Sequence, residues 1–355
     1  MKKKELVSTV KYSGAFAAWV IGSGFATGQE ILQFFSSYSY KSIAVLAVNL
    51  IGFAVVGIVM LTKGFDNREV TDFRHYEYYC GKKIGKIYSF IIPVALIMVM
   101  SVLISAAGAT LEQYYSVNRF VGTAVMSALI LAVYLLGFEK LVKVVSGVGI
   151  FVIIFVIFVG LYTTVRDFSN FSEIGNYTEK LSEFQTAPHW TLSSVLYLSL
   201  NFLSGSNYYT TLGRHAESRR SARLGAAIGS MALVISIALI NFSILFNAKD
   251  IISVSVPTLF LAKKISDIFG GVFSVVLILG IFSACTTTVW SFCSGFFRND
   301  VKKNRIFSAA TVFACMFLGF VPFGNLVSVV YPMIGYMGLF FIGAVIYKGI
   351  SEKKK

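Results

Sequence analysis

Hydropathy along the chain rises and falls in blocks. Apolar runs of about twenty residues alternate with polar stretches, a length that matches a hydrocarbon core of about 30 Å crossed at 1.5 Å per residue. Ten such segments are delimited: 12–37, 42–62, 87–113, 119–137, 141–165, 190–213, 222–247, 270–297, 306–322 and 324–347. The first is interrupted at its centre. Ile21-Gly22-Ser23-Gly24-Phe25-Ala26-Thr27-Gly28 sets three glycines and two hydroxyls inside an apolar helix, and Glu30 follows within a turn. A glycine costs a helix interior about 1 kcal/mol relative to alanine, so this density predicts a break. The sixth segment has a matching small, polar centre, Asn201-Phe202-Leu203-Ser204-Gly205-Ser206-Asn207.

Backbone groups freed inside a bilayer must be satisfied by protein, ion, water or ligand. Interrupted segments at corresponding places in two halves predict an inverted repeat with a binding site between the breaks. The expected fold is therefore all-α and integral to the membrane: one domain of ten transmembrane helices as a five-plus-five inverted repeat. The repeats run over about 8–165 and 186–348, with helices one and six interrupted.

Composition agrees. Of 355 residues, 56% are hydrophobic and 14% charged, with a mean hydropathy of +0.74, where a soluble domain carries about a quarter charged residues. The net charge of +14 would suggest nucleic acid in a soluble protein. With both termini inside, however, 24 Lys and Arg fall on the inner side and 7 on the outer. That asymmetry predicts a multi-pass protein of the cell membrane with cytoplasmic termini, and the basic charge needs no nucleic-acid partner. The partners expected are the lipid bilayer and a small-molecule substrate. Met1-Lys2-Lys3-Lys4 leads into the first segment with no small-residue cleavage site, so no removable signal peptide is read.

Cys80, Cys285, Cys293 and Cys315 lack metal-ligand spacing, so neither zinc nor a disulfide framework is expected. No G-x-x-x-x-G-K-[ST] stretch is present, and no nucleophile–base pair is visible. The reading is a transporter driven by a gradient rather than an enzyme, with no cofactor beyond a coupling ion.

Half-helix ends carry about half a unit charge, positive at an N-terminus and negative at a C-terminus. The helix restarting after Gly24 aims N–H groups around Phe25, Ala26 and Thr27 at the break, which suits a carboxylate. Carbonyls around Ile21 and Ser23, and those of Phe202 and Leu203 with the hydroxyls of Ser204 and Ser206 beside Gly205, suit a cation or ammonium. Glu30 is the one ionisable group well inside a segment, a functional candidate by default: a proton carrier, a magnet for a cationic substrate, or a partner for a coupling ion. The bland alternative is an acid stabilising the second half-helix beside a wet vestibule. In the eighth segment Ser283, Thr287 and Ser291 recur on one face. They can coordinate a hard cation with backbone carbonyls or bond their own i−4 carbonyls. Trp290, Phe25, Phe202 and Tyr208 are candidates to close a cavity. Ser101, Ser105 and Gly108 form a small face read chiefly as packing. Two loop elements are also expected: a short amphipathic helix over the outer mouth at Val256–Ala262, and an interfacial helix within 63–86.

This layout, with Gly22-Ser23-Gly24 and the small break of the sixth segment, resembles the LeuT fold of the amino acid–polyamine–organocation superfamily. The loop Gly213–Arg223 is similar to the Glu- and Arg-bearing loop of those permeases. Gly24-Phe25-Ala26-Thr27-Gly28-Gln29-Glu30 resembles the YkvI-type bacterial membrane proteins. The resemblance implies sodium-coupled symport of a small amino-acid-like or amine solute by alternating access. It also implies a sodium site formed by the carbonyls of Ile21 and Gly24 with Thr286 and Thr287, near Ser283. Some proton-coupled relatives carry a lysine deep in the fifth segment. Here Ile150–Ile154 has none, and Lys143 lies near the segment's inner end. Proton coupling through Glu30, or a sensor that binds without transporting, are the alternatives.

Overall fold

The computed structural model describes residues 3–136, 148–293 and 300–352, and they are almost entirely helical. The first apolar segment forms three pieces: α1 (Lys3–Val20), α2 (Ser23–Ala26) and α3 (Gln29–Phe34). A 3-10 turn leads into α4 (Ser42–Asp66). Then follow α5 (His75–Tyr115), α6 (Arg119–Leu136), α7 (Val148–Arg166) and the short α8 (Thr178–Ser182). The sixth segment is split into α9 (Trp190–Ser204) and α10 (Ser206–Arg214). The remainder is α11 (Arg219–Phe246), α12 (Ala248–Ile251), α13 (Pro257–Ile265), α14 (Asp267–Cys293), α15 (Val301–Gly319) and α16 (Phe323–Ser351).

Seven of these helices are long and apolar enough to cross a membrane. Each of the ten sequence segments is helical where described. The other three differ because the first and sixth are cut by their glycines, and α15 begins with Lys302, Lys303 and Arg305. Lys143 and residues 294–297 of the eighth segment lie outside the described residues.

Helix contacts sort into two groups. α1 lies against α11, while α4 packs on α9, α10 and α11. Separately, α5 gathers α6, α14 and α15. α16 joins the groups by packing on both α9 and α5. Association within a bilayer relies on close backbone approach at small residues, and that is what builds the first group. A Cβ on Gly229 would stand 2.8 Å from the Phe16 side chain, and one on Gly338 would stand 2.6 Å from the Ser199 carbonyl. The small face of α5 packs similarly: Gly108 abuts Thr123 and the Arg119 carbonyl of α6, and Ser105 donates to the Val321 carbonyl at 2.8 Å.

The loop before the third segment holds a short helix that runs into the third segment's own helix. His75–Cys80 is helical, Gly81 turns the chain with φ +78°, and the helix then continues to Tyr115. Tyr76 and Tyr79 are buried against Phe341 of α16 instead of facing lipid. One face of the molecule collects the basic loops: Arg214 donates to the carbonyls of Arg68 and Val70, and Arg220 pairs with Glu5.

Candidate functional site

Both predicted breaks interrupt their helices, and the first is made by backbone that a helix cannot use. Gly22 is extended at φ −102° and ψ −167°, and Gly28 is left-handed at φ +79°. Ile21 still donates to Ala17, but no backbone or side-chain hydrogen bond among the described residues reaches the Ile21 carbonyl. The Gly24 carbonyl is occupied, accepting from Thr27 N at 3.2 Å and Thr27 Oγ1 at 2.7 Å. At the second break Gly205 interrupts the segment with φ −87° and ψ 4°. The indole of Trp19 lies directly on it, since a Cβ on Gly205 would meet Trp19 Nε1 at 2.4 Å.

The two faces of the molecule treat these breaks differently. On the face opposite the basic loops, α13 covers the first break. Thr258 N donates to the Thr27 carbonyl at 3.2 Å, and Thr258 Oγ1 donates to the Ala26 carbonyl. Carbonyls freed at the end of α2 are thereby satisfied. Gln113 of α5 holds α13 in place, donating to the Val256 carbonyl at 2.9 Å and accepting from Val256 N at 2.8 Å. This is the helix expected over the outer mouth.

Toward the basic face a cavity of about 760 Å³ opens. Trp19, Ser204, Asn207, Thr287, Ser291 and Pro93 line it, with His75 at its wall bonded to Ser206 Oγ at 3.2 Å. An aromatic floor separates it from the interior. Trp19 stacks on Tyr208 with centroids 5.0 Å apart, and Tyr209 packs against Phe16 and Phe202. Phe25 and Phe202 are buried in this region, but Trp290 is 57% exposed and points away from it. Trp290 therefore closes nothing here. It stands on the outer side of α14, on the surface a lipid would cover.

Glu30 is 7% exposed and is not among the residues lining this cavity. Its Oε2 lies 3.4 Å from where a Gly24 Cβ would stand, and Tyr331 Oη lies 2.9 Å from the same point. Tyr197 of α9 turns its fully buried hydroxyl toward the carboxylate. The Tyr209 hydroxyl is equally buried and has no hydrogen-bond partner among the described residues. Among the described residues no Lys, Arg or His forms an ion pair with Glu30. A carboxylate at a helix N-terminus gains about 0.3–1 kcal/mol, whereas burying an ion costs several kcal/mol. The capping role does not offset the burial.

The sequence-derived residues are thus partly assembled. Ser23, Gly24, Phe25 and Ala26 form the short α2 between the interruptions at Gly22 and Gly28, and the N–H groups of Ala26 and Thr27, expected to be free, donate to the Gly22 and Gly24 carbonyls; Phe202, Ser204, Gly205 and Ser206 surround the second break. Ser204 faces the cavity, whereas Ser206 is turned to His75. Ser23 meets α14 at Gly280, 3.8 Å from the position of its Cβ. The α14 hydroxyls are engaged within their own helix: Thr286 Oγ1 donates to the Phe282 and Ser283 carbonyls, and Thr287 Oγ1 to those of Ser283 and Ala284. Thr287 lines the cavity, and Glu30 does not. Trp19, Tyr197, Tyr209, Tyr331 and Thr258 were not singled out by sequence. A hydroxyl-bearing ring in an apolar segment is a weak signal in a chain with 18 tyrosines.

With this geometry in view, the chain can be set beside known proteins. No family model matches it. It is 26% identical over 349 residues to the uncharacterised membrane protein YkvI of Bacillus subtilis, covering 96% of this chain and 95% of YkvI. YyaD of the same organism is 22% identical over 340 residues, covering 95% of each. A mutant of the manganese transporter of Eremococcus coleocola superposes with a TM-score of 0.56 at 10% identity, covering 98% of this chain and 80% of that one. The same transporter with an aromatic bis-isothiourea substituted compound gives 0.51 at 13% identity, with the same coverage. The chain shares that transporter's fold. Its relatives and its helices make it a membrane protein.

Proposed function

We propose that this chain is a secondary active transporter of a small amine or amino-acid-like solute, working by alternating access around the two breaks. The observation that carries the reading is the asymmetry of closure. The first break is latched by Thr258 on one face, while from the other a 760 Å³ cavity reaches the second break at Ser204 and Asn207 and is lined by Trp19 of α1. In this reading the basic face is cytoplasmic, with both termini there, in the plasma membrane, and the conformation is inward-facing. α1–α4 and α9–α11 rock against α5, α6, α14 and α15, and the two halves form a five-plus-five inverted repeat. Coupling runs through Glu30, because a buried carboxylate without a basic partner must take up a proton or a cation.

Sodium coupling is the second reading. It is favoured by the open carbonyl of Ile21 and by Ser23 meeting α14 at Gly280, one turn from Ser283 and Ala284. Thr286 and Thr287 would then keep lone pairs free for the ion while donating to their own helix.

Thermal unfolding of the purified protein in NaCl, KCl and choline chloride at two pH values separates the two. Ligands bound by the folded state alone raise stability by RT ln(1 + [L]/Kd). A sodium-specific rise lost in Thr287→Ala supports the sodium site. A pH response lost in Glu30→Gln, with no sodium effect, supports coupling at Glu30. Gradient-driven uptake into vesicles tests transport itself, and binding without net flux would replace the transporter by a sensor.

A further inference from the structure

We propose that Glu30 and the tyrosines around it form an exchange site, at which the ammonium group of a carboxylate-free amine and a proton compete for the same carboxylate. This rests on the reading that Glu30 is the coupling group, and it narrows the solute class and sets the direction of coupling.

The cluster has a composition that selects its ligand. Its one charge is the Glu30 carboxylate. The titratable groups set around it are Tyr197 of α9 and Tyr331 of α16, with Tyr209 of α10 beyond the first and Cys285 of α14 beyond the second. None of these supplies a positive charge near neutral pH. An isolated carboxylate in an apolar interior is neutralised or paired, so the site is occupied in every state, by a proton or by a cation. The Tyr197 hydroxyl is set against the carboxylate, and the fully buried Tyr209 hydroxyl has no partner among the described residues, so an N–H donor entering the cluster would give it one. The rings of Phe34, Phe35 and Phe53 lie 4.9–6.2 Å from that of Tyr197. These rings supply apolar and π surface for the body of an organic cation.

A free amino acid fits this cluster poorly. Its carboxylate would enter beside Glu30 with no Lys, Arg or His among the described residues bonded there to receive it. An amine without a carboxylate meets no such conflict. Because one carboxylate cannot hold a proton and an ammonium at once, each binds by releasing the other. The proton leaves Glu30 for the water on whichever face the cavity opens, and the ammonium arrives already protonated. The consequence is exchange of amine against proton, not symport.

The probe is butylammonium, which stays charged near neutral pH, added to the detergent-purified protein in weak buffer with a pH indicator. The expected result is release of about one proton per chain, and an apparent affinity that falls up to about tenfold for each unit of lower pH. Butanol and alanine release none. Glu30→Gln abolishes release, and Glu30→Asp, which keeps the carboxylate, retains it with weaker affinity and so reports a folded site. No release by wild type, equal release in Glu30→Gln, or an equal response to alanine overturns the proposal. Butylammonium counterflow in proteoliposomes separates this from the transport reading. Proton release without flux supports the exchange site and removes the transporter, whereas flux without proton release overturns the exchange site and leaves the transporter standing.

Discussion

At the residue scale the decisive groups are those that are costly where they stand. Gly28 holds φ +79°, and a Cβ there would lie 2.9 Å from Thr258 Cγ2 and 3.1 Å from Thr258 N. Left-handed backbone costs a non-glycine residue about 1–2 kcal/mol, before the clash is counted. Gly28→Ala should therefore lower unfolding free energy by at least about 1 kcal/mol, measured in denaturant; a neutral result would mean that α13 does not sit on this break. Tyr209 gives the opposite expectation. Its hydroxyl is buried without a partner among the described residues, and a buried unsatisfied group costs about 1–3 kcal/mol. Tyr209→Phe should leave the ligand-free protein as stable or more stable, while weakening the response to a ligand. A clear loss of stability without ligand would show that the hydroxyl already has a partner.

Among elements, two contacts decide whether the breaks communicate with solvent. Thr258 satisfies carbonyls at the end of α2 with one backbone and one side-chain hydrogen bond. Thr258→Val keeps the shape and the backbone bond but removes the hydroxyl, at a cost of about 1 kcal/mol. Amide exchange in α13 should then accelerate more than in α5, and equal protection in the wild type and the variant would rule out the latch. Trp19 on Gly205 is the second contact. Gly205→Leu must push the indole out of place, since even a Cβ meets it at 2.4 Å, and Gly24→Leu collides with Tyr331 Oη. Both should abolish ligand binding while the helical circular dichroism remains. Retained binding would mean that the breaks serve packing alone.

The whole molecule is also tied across the face opposite the basic loops. The Arg166 guanidinium holds the Asp167 carboxyl below the usual carboxylate range, against its partial burial, with Asn247 and Lys264 adding to the effect. These four residues join α7, the end of α11 and α13, the helix that carries Thr258. A carboxyl whose pKa is lowered on folding contributes stability that is fully present above its unfolded value and is lost as pH falls through the folded value. Stability should therefore decline below about pH 4, and Asp167→Asn should flatten that limb while costing roughly 1 kcal/mol near neutral pH. An unchanged acid limb would place the pH dependence elsewhere.

What the amino-acid order determined by itself is the class of the molecule and the place of its breaks. Twenty-residue apolar runs are dictated by bilayer thickness. Glycines at 22, 28 and 205 declare themselves because helix propensity is local, whereas Gly24 stays inside α2. Glu30 was legible for the same reason, as a charge where a bilayer penalises one. The α13 helix could also be read, from its proline start and apolar run. What covers each break was decided by tertiary structure. The pairing of Thr258 with Ala26, of Trp19 with Gly205, and of Glu30 with Tyr197 and Tyr331 joins residues about 170 to 300 positions apart. No local preference encodes such a contact. Burial likewise separated Phe25 and Phe202 from Trp290, and turned the inner-loop tyrosines into the core, because a ring's neighbours depend on which helices the glycine contacts bring together. The α14 hydroxyls mark the same boundary: their spacing was visible in the chain, but only the folded helix shows them bonded to its own carbonyls.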